Sequence, residues 1–279
     1  MILTGIPYSA MDVAQKAKVH WDVEVDENTK FLHDAFFNYY DNMFQPIESH
    51  FDVNINLGFT ALCPNEALDL QKPASLEEIK NAVWDCGSEK FVTNFLKSRS
   101  MPRGSNSALI TLMLKVQNPV LIKDFCPISL FGIQYKIIAK LLANRLTVVL
   151  DKVFSPVQSA FISARQILDG PLMVSEIIDW YKKQNKNLMI FKVDFEKAFD
   201  SVSWRYLDYV LSQIGFGDLW RTWIRSFLHS ACRSILINGS PTAEFSLGRS
   251  LRQGGLLSPF LFVLIMEGLH LALDPAIRS

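Results

Sequence analysis

The feature that most constrains the fold is a short apolar run that ends in an acid. Residues 188–193 read LMIFKV, and Asp194 follows directly. A run of this length without helical spacing is typical of a central strand that is covered on both faces. We therefore expect residues 188–193 to form the central strand of a small sheet, with Asp194 held at its carboxyl end.

Other segments predict helices and hairpins in separate blocks. Apolar residues recur at helical spacing in one long segment: Ile137, Ile138, Leu141, Leu142, Leu146, Val149 and Leu150. Further helices are expected from Trp204 to Gly215, over residues 218–229, and from Ser258-Pro259 onward. A strand is expected over residues 109–116, and a hairpin around Asn238-Gly239. Helices segregated from strands indicate the α+β class.

The chain is expected to divide near Ser75. Residues 1–75 are loosely patterned. Ser75 and Glu78 have the spacing of a capping box, which predicts a helix start. Residues 76–279 then form the main domain.

Composition excludes some classes of protein. Lys and Arg number 28 and so do Asp and Glu, whereas a dedicated nucleic-acid coat protein is usually basic. The four cysteines form no C-x-x-C pair, so free thiols in a reducing compartment are expected. The first residues lack a basic, apolar leader, and the longest apolar run, residues 260–266, is far short of the ~20 residues that span a bilayer. No signal peptide and no membrane association are expected.

A carboxylate at a strand end suits a hard metal ion. Mg²⁺ prefers oxygen ligands, and nucleotidyl transfer uses such ions at the reacting phosphates. Taken alone, however, the pattern also fits Asp194 as a turn residue and Asp200 as the cap of the helix from Trp204. Phe199 is either the floor of a nucleotide sugar site or an ordinary core aromatic.

Four ordered motifs give the chain a specific resemblance. They are PISL (127–130) with YKIIAK (135–140), QSAF (158–161) with RQILDG (165–170), KVDFEKAFDSV (192–202), and LRQG (251–254) with LSPFLF (257–262). Together they resemble reverse transcriptases of LINE-type retrotransposons, which lack terminal repeats, and plant elements in particular. The resemblance is dense from about residue 109 onward and thinner before residue 90, and it implies that residues 1–75 are an upstream linker or arm, partly deleted.

The resemblance implies a partial right-hand polymerase with fingers and an antiparallel palm sheet backed by helices, and without a thumb. It implies that Asp194 is a catalytic Mg²⁺ ligand and Phe199 the steric gate against the ribose 2′-OH. It implies that Gln253 and Gly254 lie beside the incoming nucleotide and that Lys115, more weakly, faces its triphosphate. Outside the resemblance, Gln253-Gly254 is an ordinary turn and Lys115 a surface lysine. The implied partners are an RNA template, a DNA primer and deoxynucleotide triphosphates, in the cytoplasm and nucleus; nothing indicates an oligomer.

Several positions depart from the family pattern. Cys126 stands where an arginine is expected, Gly255-Leu256 replaces Asp-Pro, Ser250 replaces a glycine and Leu114 a proline. A Pro-Gly-Pro-Asp-Gly segment is missing between residues 90 and 91, with a similar gap near residue 33. The Tyr-Ala-Asp-Asp hairpin is not found before Ser279, so we expect a truncated copy. These departures are interpreted as drift.

The sequence therefore favours an RNA-directed DNA polymerase by family, expected to be inactive as this fragment. A second hypothesis is a non-catalytic remnant that binds nucleic acid through four basic residues: Lys136, Lys140, Arg145 and Arg165. A third is a gene product that does not fold. Salt-dependent RNA binding without polymerisation would favour the second hypothesis. A cooperative thermal melt would exclude the third.

Overall fold

The computed structural model describes residues 27–46, 57–82, 89–119, 121–162, 165–190, 192–195 and 197–278. The helices within these residues are α1 Glu27–Phe44, α2 Pro64–Leu70, α3 Leu76–Ala82, α4 Glu89–Ser98, α5 Ile133–Val153, α6 Asp169–Lys183, α7 Trp204–Gln213, α8 Asp218–His229 and α9 Ser258–Arg278. The strands are β1 Ser107–Leu114, β2 Phe125–Phe131, β3 Cys232–Ile237, β4 Ser240–Pro241 and β5 Phe245–Ser246, with a short 3₁₀ helix at Ile122–Asp124.

The sheet that these strands form is mixed. Its order is β2-β1-β3-β4, and β5 also pairs with β3. β1 is antiparallel to β2 but parallel to β3, because several helices carry the chain back to the starting end of the sheet between β1 and β3. The α+β expectation agrees with this mixture of helices and strands, whereas the expected antiparallel sheet is not confirmed.

The expected central strand at residues 188–193 is wrong. Residues 188–190 and 192–195 form no strand, and Met189 is 91% exposed. Phe191 lies outside the described residues. A strand exists only where a neighbour supplies hydrogen bonds, and no described strand pairs with this run. Its apolar composition therefore does not place it in the sheet.

The strongest periodic patterns are confirmed. All seven apolar residues predicted to face the core from α5 are buried. Helix α8 has the predicted bounds, and α7 is followed at Gly215 by a left-handed turn with φ of +88°. The hairpin turns at Asn238-Gly239, where φ is +49° and +81°, the pair of positive values that a tight two-residue turn requires.

Helix α1 packs on the sheet. The ring of Phe245 in β5 lies 5.7 Å from that of Phe37 and 6.3 Å from that of Phe44. The Arg249 Nε donates to the Met43 carbonyl at 2.9 Å. The described part of the expected arm therefore shares one hydrophobic core with the rest of the chain.

A partly buried ion pair joins α5 to the short helices before it. The Glu78 amide donates to the Ser75 Oγ at 3.1 Å, as predicted for a cap. The Glu78 carboxylate instead accepts from Arg145, whose Nη1 also donates to the Leu70 carbonyl at 2.9 Å. The expected capping box is thus half formed, and Arg145 serves packing rather than a nucleic-acid backbone.

Helix α6 stands out because none of its residues is buried. Its large apolar side chains are exposed: Leu172, Met173, Val174, Ile177 and Trp180. The sequence analysis did not predict this helix. Among the described helices, none combines the length and apolarity required to cross a membrane.

The end of α8 predicts a pH effect on stability. Burial, followed by the charge of Arg225, lowers the pKa of His229, whose ring packs 4.7 Å from that of Trp204. A lowered pKa in the folded state means that the unfolded chain binds the proton more readily. Stability is therefore full above the ordinary histidine pKa and falls as pH decreases through that value toward the lowered one.

We expect His229→Gln to flatten this dependence in melts between roughly pH 5 and 8. His270→Gln serves as a control, because His270 lies on the partly exposed side of α9. An unchanged slope in His229→Gln would contradict the assignment.

Candidate functional site

Asp194 lies in an exposed, irregular segment. It follows Val193 and precedes Phe195, both more than 40% exposed. The rigid strand end that the sequence predicted for this carboxylate is not formed. Glu196, the next acid along the chain, lies outside the described residues.

Phe199 lies in a turn that is hydrogen-bonded to the loop before α9. Its carbonyl accepts a hydrogen bond from the Leu251 amide at 2.7 Å. Its half-buried ring packs on Phe262 with ring centroids 5.0 Å apart. The segments of Phe199 and Gln253, separated by about fifty residues in sequence, are therefore adjacent in the fold.

Ser250 is the residue through which this junction is made. Its amide donates to the Val202 carbonyl at 2.9 Å, and its carbonyl accepts from the Trp204 Nε1 at 2.7 Å. Its φ is +99°, a backbone conformation in which glycine is common and other residues are rare. The sequence had identified this position as one where the family has glycine, and the backbone explains that preference.

Asp200 does not cap α7 as the sequence suggested. Ser203 does so, because its Oγ accepts from the Tyr206 amide. The Asp200 carboxylate accepts from the Ser250 Oγ at 3.2 Å and lies 4.0 Å from the Arg233 Nη1. Burial raises the pKa of Asp200, while the charge of Arg233 and the hydrogen bond from Ser250 oppose that rise. The sequence reasoning missed this contact because the partners come from distant segments.

Two buried arginines lie next to the Gln253-Gly254 turn: Arg233 in β3 and Arg252 in the loop itself. Arg233 lies over the Phe44 ring, and Arg252 lies over the Tyr135 ring, at 4.2 Å and 4.6 Å from the ring centroids. Burial lowers the pKa of both arginines to about 10. Aromatic faces thus replace part of the water that each cation loses.

Gln253 and Gly254 form an exposed turn above these arginines, with Gly254 at a φ of +80°. The next residue, Gly255, is buried, and a Cβ there would lie 2.3 Å from the Tyr135 Oη. A side chain at 255 would therefore force the buried Tyr135 or Ser258 side chain to shift, which glycine avoids. That position, interpreted from the sequence as drift, has a structural reason.

Lys115 lies elsewhere, directly after β1. Its side chain is exposed, and its amide donates to the Asp124 carbonyl at 2.8 Å. Cys126 pairs with Met113 across β1 and β2 and is a free thiol, as are Cys63 and Cys232. Cys86 lies outside the described residues.

The described residues do not provide a complete metal site. Within them, no group of three Asp, Glu, His or Cys side chains converges on one point. Asp200, the acid nearest Asp194 in the described sequence, is engaged by Ser250 and Arg233. These residues do not supply the several oxygen ligands that Mg²⁺ takes from a protein and its substrate.

Comparison with known proteins decides the family. A family model described as reverse transcriptase (RNA-dependent DNA polymerase) matches residues 115–277, more than half of the chain. The chain belongs to the reverse transcriptase family. All four motifs lie within the matched residues, and relatives from non-terminal-repeat retrotransposons confirm the resemblance to LINE-type elements.

Its relatives are proteins of mobile elements. A Xenopus laevis protein, the transposon TX1 uncharacterized 149 kDa protein, is 28% identical over an alignment of 268 residues that covers 86% of this chain and 20% of that protein. A Pol polyprotein from the type-1 retrotransposable element R2 of Popillia japonica is 28% identical over 57% of this chain and 22% of that protein. A Pol polyprotein from the type-2 element R2DM of Drosophila melanogaster is 27% identical over 53% of this chain and 14% of that protein. The reverse transcriptase chain thus spans about a fifth of the length of the first two relatives.

Proposed function

We propose that this chain is the fingers and palm part of a retrotransposon RNA-directed DNA polymerase by family, inactive as this fragment, with residues 1–75 as an upstream arm and 76–279 as the partial polymerase domain. By family, the molecules that it would bind are an RNA template, a DNA primer and deoxynucleotide triphosphates. The observation that carries the proposal is the hydrogen bond from the Leu251 amide to the Phe199 carbonyl. It brings together the two motifs from which the family builds its nucleotide pocket.

Five residues have roles in this proposal. Asp194 stands at the family's catalytic Mg²⁺-ligand position, and its carboxylate is exposed, but one carboxylate does not complete a metal site. Phe199 limits the space at the sugar. Gln253 and Gly254 contact the incoming nucleotide from an exposed turn, and Lys115 contributes charge toward the triphosphate.

Of the four basic residues proposed for a non-catalytic remnant, two are engaged within the protein. Arg145 pairs with Glu78, and Arg165 donates to the Ser155 and Gln158 carbonyls at 2.7 and 2.6 Å. Lys136 is exposed and Lys140 partly so. Phosphate binding by the polymerase surface therefore depends on lysines rather than on these arginines.

Binding of a labelled DNA primer annealed to an RNA template, measured by fluorescence anisotropy, tests the proposal. We expect affinity to fall steeply as salt rises from about 50 to 200 mM, because phosphate contacts release counterions. Adding the next complementary deoxynucleotide with Mg²⁺ should tighten binding in the native chain and less so in Lys115→Ala.

Lys152→Ala is the matched control, because Lys152 is an exposed lysine paired with Glu66. It should behave as the native chain. Salt-dependent binding with no response to any nucleotide would support the non-catalytic remnant instead. Binding that does not depend on salt would contradict both.

A further inference from the structure

Side chains as well as backbone atoms join the two segments that the proposed function assigns to the nucleotide pocket, the Phe199 turn and the Gln253 loop. A buried polar cluster, consisting of Asp200, Ser250 and Arg233, joins them from below. Asp200 belongs to the turn of Phe199, and Ser250 begins the loop of Gln253. Arg233 lies in β3, so the cluster also fixes both segments to the sheet.

The contacts within the cluster are mutually dependent. The Ser250 Oγ lies 3.2 Å from the Asp200 Oδ1, and the Arg233 Nη2 donates to the same Ser250 Oγ at 3.3 Å. Ser250 and Arg233 are 2% and 3% exposed. A buried arginine without a carboxylate nearby is costly, and so is a buried carboxylate without a donor. Removing one member therefore leaves the others with unfavourable burial.

The backbone of Ser250 supports a specific purpose for its side chain. A non-glycine residue at a φ of +99° is strained, and such strain persists only where other contacts hold it. Glycine would remove the strain but would also remove the hydroxyl that contacts Asp200 and Arg233. In this chain the hydroxyl offsets the strained backbone.

We propose that Asp200, Ser250 and Arg233 are positioning residues that hold the Phe199 turn and the Gln253 loop at a fixed separation. The separation sets the width of the nucleotide pocket, an assignment that rests on the proposed function. Neither Asp200 nor Ser250 touches substrate in this account. Asp200 holds the Gln253 loop through its hydrogen bond with Ser250. Arg233, which lies in β3, holds Asp200 and Ser250 against the sheet.

Hydrogen exchange of the full chain, followed by mass spectrometry, tests the proposal. The informative amide is that of Leu251, which donates to the Phe199 carbonyl. We expect Asp200→Asn to raise exchange in the peptide of residues 250–256 roughly tenfold, because a charged hydrogen-bond network is lost. Exchange in residues 137–150 of α5 should stay unchanged, which a general loss of stability would not allow.

Ser250→Gly is the second variant, because its backbone suits the positive φ and the chain should fold. It should raise exchange in the same peptide, and the double variant should show no more than the larger single effect, since both changes remove one network. Asp208→Asn is the matched control: Asp208 pairs with Arg221 at 2.7 Å in α7 and α8, outside the cluster. It should leave residues 250–256 unaffected.

Equal exchange in the native chain and Asp200→Asn would overturn the proposal, and so would a uniform rise that includes α5. Primer–template binding is measured on the same samples. A chain that binds no primer–template but shows the local rise would contradict the proposed function while leaving the positioning role intact. Primer–template binding without a local rise in exchange would support the proposed function and contradict the positioning role.

Discussion

The purified 279-residue chain should not extend a DNA primer on an RNA template, with either Mg²⁺ or Mn²⁺. Two-metal catalysis needs several carboxylates around a pair of ions about 3.5–4 Å apart. Asp194 is the one residue of this sequence that matches a ligand of the family's set. A lone carboxylate holds hydrated Mg²⁺ weakly, because the ion keeps most of its waters.

Other acids do not replace the missing ligands. Asp200 is bound to Ser250 and lies beside Arg233, so moving it to a metal would leave the buried arginine without its counter-charge. Glu196 is two residues past Asp194, too close along the chain to reproduce a separate hairpin. Cys126 supplies no charge for the triphosphate where the family has arginine.

The measurement is primer extension in each metal, beside Asp194→Asn. We expect no product from the native chain or from the variant. Product from the native chain that disappears in Asp194→Asn would contradict the prediction and would show that fewer carboxylates suffice.

Arg145→Met should destabilise the chain by about 3 kcal/mol, at the lower end of the cost of breaking a buried ion pair. The Arg145 side chain is 8% exposed and that of Glu78 is 27% exposed. The guanidinium also lies 5.8 Å from the centroid of the Trp223 ring. Methionine restores some packing volume but leaves the Glu78 carboxylate and the Leu70 carbonyl without their donor.

For a domain of this size the melting temperature should fall by roughly 6–12 °C. Lys152→Met is the control, since it removes an ion pair with Glu66 in which the lysine side chain is 61% exposed. Such pairs contribute little because water and salt screen them. Equal shifts in the two variants would contradict the assignment of Arg145 to the core.

The elements that the sequence predicted well are those whose signal is local. The stripe of α5 repeats at helical spacing over four turns, and Asn238-Gly239 has the backbone freedom that its turn requires. In both cases the residues that specify the structure are neighbours in sequence. Their interpretation needed no knowledge of distant segments.

The failures share a different cause. Residues 188–193 are as apolar as a buried strand, but strand formation depends on a partner that composition does not reveal. Asp200 stands at a cap position, yet its partners Ser250 and Arg233 come from segments far along the chain. The motifs singled out the Phe199 turn and the Gln253 loop, but their hydrogen-bonded contact came from the structure, and the polar cluster beneath them had no local signature.

The parallel pairing of β1 with β3 has a consequence for how the chain is made. Ser107 pairs with Cys232, so β1 leaves the ribosome about 125 residues before its neighbour. At typical synthesis rates of about 5–20 residues per second, that delay is roughly 6–25 s. During this time β1 can pair with β2, but its other edge stays open, and open strand edges recruit other chains. We therefore expect chaperones that cover this edge during translation to raise the yield of folded protein.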